Sequence, residues 1–122
     1  MSNKLIAVIL LTFFGMTLSG FAQSQAKPSS GLNLIDGTNG ATIAGSCFVI
    51  LANAQNRGFS RDNNIFVTEL RTKFYRSGLA INGLNYHQAQ NQASNKINDS
   101  VSDSQLMSAY QSCLNIAQKS GF

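Results

Sequence analysis

The chain has 122 residues, with nine Lys or Arg against five Asp or Glu and a formal charge of +4. One histidine, two cysteines and no tryptophan leave no zinc ligand set and no C-x-x-C-H haem attachment. With residues 1–22 read as a removable signal, about 100 residues remain, which excludes a multi-domain enzyme and any large cofactor-binding fold.

Met1-Ser2-Asn3-Lys4 is a short n-region with one positive charge, and Leu5 to Leu18 is an apolar h-region. Gly20-Phe21-Ala22 offers small residues for cleavage, with Ser24-Gln25-Ala26 as a second possibility. The apolar run is shorter than the about 20 residues a bilayer span needs. The expected location is therefore periplasmic or secreted, with no stable membrane insertion after signal removal. An oxidising compartment makes Cys47 and Cys113 a disulfide. For a loop of this size the chain-entropy model gives roughly 4 kcal/mol.

Residues 23–40 hold the only proline, Pro28, and many Ser, Gly and Asn residues without sustained periodicity. They read as a flexible leader, in which Leu32, Leu34 and Ile35 can pack locally, before a helical domain over 41–122. The first helix spans 41–56. Ile43, Cys47, Ile50, Leu51 and Ala54 form one stripe, and Phe48 and Val49 lie outside it, so the helix is central. Arg57-Gly58 ends it.

Ser60 is the expected N-cap of a second helix, about 61–77, with Phe66, Val67, Leu70 and Phe74 buried. Glu69 and Lys73 form an i,i+4 pair in the favourable order, and Gly78 closes the helix. Leu79-Ala80-Ile81 reads as a connector and Asn82-Gly83 as a turn. A third helix, about 84–98, buries Tyr86, Ala89, Ala93 and Ile97 beneath a face rich in Asn and Gln. Ser102 and Gln105 make a capping box for a fourth, with Leu106, Tyr110, Cys113, Leu114 and Ala117 on one stripe. The expected fold is all-α: a small bundle of about four helices, its first and last joined by the disulfide. The rival is a mixed fold with a strand at 46–52 or 79–82.

Chemistry-bearing residues are sparse. His87 has Asp99 and Asp103 as prospective orienting acids, and Met107 as a remote haem co-ligand, but neither spacing is diagnostic. Asp36, Asp62, Glu69, Asp99 and Asp103 give no general-acid pair. Asn98-Asp99-Ser100 fits a glycosylation sequon, relevant to a eukaryotic source only. The basic residues are uneven: Arg57, Arg61, Arg71, Lys73 and Arg76 face only Asp62 and Glu69 in the same stretch. Such an excess suits an acidic partner surface, and the lack of stacking aromatics among these charges, with export, disfavours nucleic acid. Ile65 projects opposite the buried stripe, beside Arg61 and Arg76, with Arg71 and Tyr75 on a neighbouring flank. An apolar residue ringed by charges suits the centre of a contact surface.

Ser46-Cys47-Phe48 early and Tyr110-Gln111-Ser112-Cys113-Leu114 late sit within a signal-bearing chain of helices tied by a disulfide. In this the chain resembles the periplasmic immunity proteins that neutralise type VI secretion amidase effectors. The resemblance implies a helical protein, often a homodimer, that blocks an effector's active-site cleft. It covers the mature chain in outline and assigns no binding residue. The expected function is thus an exported, non-enzymatic protein that binds a protein partner, as an inhibitor or immunity protein, without a cofactor. The alternative is a small-ligand-binding or scavenging module, and an enzyme comes third.

Overall fold

The computed structural model describes residues 33–98 and 100–122. The signal segment, both cleavage positions and the leader through residue 32 lie outside the described residues, as does Asp99.

The end of the expected leader is held in the fold. Leu34 and Ile35 are buried. The Asp36 backbone N–H donates to Ser46 Oγ at 3.0 Å, and Thr42 Oγ1 donates to the Asp36 carbonyl at 2.9 Å. Asn39 then caps α1, Gly40–Asn56, through a capping box with Thr42. Each side chain satisfies a backbone N–H that the helix leaves without a partner. The carboxyl of Asp36 feels burial first, which would raise its pKa. The Thr38 hydroxyl and N–H, the Thr42 hydroxyl and the charge of Lys96 outweigh burial and lower it.

Ala41, Ala44, Cys47, Ile50, Leu51 and Ala54 of α1 are buried, and Ile43, Phe48 and Val49 are half-buried. This breadth fits the helix's place, because it packs against both other helices. Arg57 is its C-cap, and Gly58 follows at φ +84°, a left-handed conformation that an L side chain resists.

A single 3₁₀ turn, Arg61–Asn63, leads into α2, Asn64–Asn98. Ser60 sits at its cap position but makes no capping bond to backbone. Its hydroxyl, buried, donates instead to Asn64 Oδ1 at 2.8 Å. Among the described residues the helix count is three rather than four, because residues 64–98 form one 35-residue element. Gly78 does not close a helix, and Leu79-Ala80-Ile81 is helical.

The long element is nevertheless broken where the turn dipeptide lies. Asn82 has φ −167° and ψ 101°, and its Oδ1 accepts from the Asn85 N–H at 3.1 Å, capping the resumed helix. The bend is sharp. Tyr86 stands 5.9 Å, ring to ring, from Tyr75. On a straight helix eleven positions would be separated by about 16 Å along the axis. Both limbs therefore turn buried stripes toward α1: Val67, Leu70 and Phe74 on one, Tyr86, Ala89, Ala93 and Ile97 on the other.

The last helix, α3, is Asp103–Lys119. Ser102 Oγ accepts from the Gln105 N–H at 3.1 Å while Gln105 Oε1 accepts from the Ser102 N–H at 3.0 Å, the expected capping box. Ser102→Ala is expected to cost about 1 kcal/mol, read as a lowered urea midpoint at unchanged m-value. Leu106, Tyr110, Cys113 and Ala117 are buried, whereas Leu114 is half-buried. The Cys47–Cys113 disulfide joins α1 to α3 with Cα atoms 5.6 Å apart. The described residues contain no strand, so the fold is all-α.

Candidate functional site

The contact surface expected on residues 61–76 lies on the first limb of α2. Val67, Leu70 and Phe74 turn that limb's apolar stripe inward. Ile65 is set opposite the stripe and is 79% exposed. Phe66, expected in the core, is 52% exposed instead. It sits in the first helical turn, on the flank of the stripe, where no neighbouring helix encloses it. Two adjacent apolar side chains thus stand in solvent on a stretch that also exposes Arg61, Asp62, Glu69, Lys73 and Arg76 along its length.

The structure redistributes the charges. Arg57 is drawn out of the patch. Its Nη1 pairs with Asp103 Oδ1 at 2.6 Å and its Nη2 donates to the Val101 carbonyl at 3.1 Å, tying the end of α1 to the start of α3. Arg71 is turned toward α1 with its guanidinium carbon 4.5 Å from the centre of the Phe48 ring. Arg61, Lys73 and Arg76 remain outward, against Asp62 and Glu69, so the cationic excess presented to a partner is smaller than the residue count suggests. No ion pair joins Glu69 to Lys73. An exposed pair of that kind contributes only about 0.3–0.5 kcal/mol.

Arg71 and Tyr75 belong to a cluster on the flank of this face. Phe48 lies 6.2 Å from Tyr75 and 6.3 Å from Tyr86. Tyr75 is 43% exposed, whereas Tyr86 is fully buried, its hydroxyl accepting from Gln90 Nε2 at 3.1 Å. Burial first, with a contribution from Tyr75 and opposed by Arg71, pushes the Tyr86 phenol up to about 12. The neutral phenol is the form the fold prefers. Its contribution is complete below the unfolded pKa of about 10 and is lost as pH rises through the folded value. Tyrosinate absorbance at 295 nm and helical ellipticity are expected to change together over that window. Complete ionisation of all tyrosines before any helix is lost would contradict it.

The other candidates separate. Asp103, engaged by Arg57, does not orient His87. His87 is exposed, with Nδ1 3.0 Å from Gln90 Oε1 and its ring against Tyr86. Among the described residues no group of three or more His, Cys, Asp and Glu is placed to hold a metal. No described helix is long and apolar enough to cross a membrane.

One exposed feature escaped the sequence reading. Ile81 and Leu84, on either side of Asn82-Gly83, are 56% and 68% exposed. The available signal was two large aliphatic residues flanking a turn dipeptide within a charge-free stretch, Ser77 to Tyr86. Gly40 lies alongside, its missing Cβ position 3.0 Å from Ile81 Cδ1.

Ile65→Asp is expected to leave helicity and thermal stability within about 0.5 kcal/mol of wild type, as for a surface substitution. A circular dichroism melt showing a large loss would place Ile65 in the core. Compared with family models, curated proteins and solved structures, the chain matches none of them.

Proposed function

We propose that this is an exported, non-enzymatic protein that acts by binding a protein partner, as an inhibitor or immunity protein, through the outward face of the first limb of α2. The observation that carries the reading is the exposed Ile65–Phe66 pair on a stretch that also exposes Arg61, Lys73 and Arg76. Apolar side chains standing together in solvent gain when a partner covers them, at about 25 cal/mol per Å². Cations along the same stretch favour a partner surface that carries acidic groups. Export is supported by the signal-like N-terminal sequence and by the buried disulfide, which persists in an oxidising compartment.

The test is capture from periplasmic extract by the mature chain, run beside Ile65→Asp and an Arg61→Glu/Arg76→Glu double variant. A partner held by wild type and lost by both folded variants supports the reading. Identical captured proteins from all three chains would remove this face as the interface.

A further inference from the structure

We infer that Arg71 is a receptor for a carboxylate of the protein partner, held ready by Phe48 and Gln55. This rests on the partner-binding reading and names the chemistry that one flank of that surface recognises.

Arg71 is oriented from two sides. Its guanidinium lies over the Phe48 ring. Its Nη1 donates to Gln55 Oε1 at 3.1 Å. Gln55 is itself fixed, its Nε2 donating to Thr68 Oγ1 at 2.8 Å and to Asn64 Oδ1 and the Asn64 carbonyl at 3.2 Å each. Nε is closed off from solvent and makes no hydrogen bond. Nη2 makes no hydrogen bond to another described residue and is not closed off. Among the described residues no carboxylate lies within ion-pair distance of the group.

A half-buried guanidinium without a counter-ion has lost part of its hydration and gained only one neutral acceptor. Stacking on Phe48 offsets part of that loss and removes the rotamer freedom that binding would otherwise have to freeze. The remaining open donors are Nη2 and the second hydrogen of Nη1. Both belong to the end of the guanidinium away from the buried Nε, and two such charged donors suit the two oxygens of a carboxylate. Tyr75 stands four positions on, half-exposed, with its ring against the same Phe48. Buried-edge Arg and Tyr are the residue types on which contact energy concentrates.

The probe is a flexible Gly/Ser peptide with capped ends and one central Glu, beside its Gln counterpart, at constant ionic strength. The Arg71 Nε–H, shielded from solvent, provides an NMR signal, and the Phe48 and Tyr75 ring protons provide a second readout that survives substitution of Arg71. The Glu peptide is expected to shift these signals and the Gln peptide to leave them unmoved. Arg71→Lys keeps the charge and loses the fork, and is expected to weaken the Glu-dependent response about tenfold. Equal responses to Glu and Gln peptides, or an unweakened response in Arg71→Lys, overturn the inference. The capture experiment separates the two claims. A partner lost by Ile65→Asp but held undiminished by Arg71→Lys leaves partner binding standing and removes the carboxylate receptor. A Glu-specific peptide response in a chain that captures nothing leaves the receptor standing and removes the partner.

Discussion

Removal of both sulfurs in a Cys47→Ala/Cys113→Ala chain is expected to destabilise the domain by roughly 4 kcal/mol or more. The two cysteines are 66 positions apart, so the bridge closes most of the described chain into one loop of the unfolded ensemble. Both residues are also fully buried, so their truncation removes core contacts. The domain has little to spare, since its total stability falls in a range of about 5–15 kcal/mol. At this size each kcal/mol corresponds to about 4–8 °C, so Tm should fall by roughly 15–30 °C. The loss should centre on α3. That helix is joined to α1 by the bridge, by the Arg57–Asp103 pair and by its buried stripe, whereas the larger contact in the fold is between α1 and α2. Hydrogen exchange should therefore show α3 amides opening first in the variant. A Tm within a few degrees of wild type would mean that packing alone holds α3.

The stripes that define this fold were legible because burial follows the helical period. The spacing of Tyr86, Ala89, Ala93 and Ile97 puts them on one face, and all four are buried. Caps were legible where a side chain and its target are three residues apart, as at Ser102 and Gln105. Helix ends were less so. Gly78 carries the same letter as a helix stop, but its reason is proximity to Tyr86, and sequence spacing does not distinguish the two. The Asn39 cap went unread because the polar composition of residues 23–40 masked a short ordered segment.

The candidate surface divides in the same way. Ile65 was found because its position relative to the stripe is a property of one helix. Phe66 was misplaced because hydrophobicity states what a residue prefers, while coverage depends on which helix lies opposite. The charge count over 57–76 overstated the outward patch for a related reason. Arg57 meets Asp103, 46 positions away, and Arg71 meets Phe48 on another helix. Long-range pairing leaves no periodic trace. Asn82-Gly83 was read as a turn between two helices, and the break does fall at Asn82. Its effect is a bend within one element, because hydrogen bonding resumes at once behind the Asn82 side chain.

Gly45 and Gly78 set how closely the limbs of α2 approach α1, and adding a methyl group at either is expected to be among the most damaging single changes. A Cβ at Gly45 would overlap the Tyr86 carbonyl oxygen and stand 3.1 Å from both the Tyr86 carbonyl carbon and Ala89 Cβ. The obstacle is backbone, so relief requires moving the second limb away from α1. A Cβ at Gly78 would overlap Tyr86 Cδ1 and stand 2.9 Å from Cε1 and 3.0 Å from Ala44 Cβ. Here the obstacle is a ring, but one that is fully buried and enclosed by Phe48, Tyr75 and Gln90. Overpacking of this kind costs about 1–3 kcal/mol and can exceed that when backbone must shift. Against it runs the helix preference for alanine over glycine, worth about 1 kcal/mol in the opposite direction. The steric term wins at both sites, most strongly at Gly45, where the neighbour is rigid. Gly45→Ala should therefore lower Tm more than Gly78→Ala. The pair also supplies its own control. Tyr86→Ala removes the ring atoms beside Gly78 but not the carbonyl beside Gly45, so in that background Gly78→Ala should cost much less while Gly45→Ala stays costly. Equal rescue of both would mean that the ring, rather than the backbone of the second limb, limits the approach of α2 to α1.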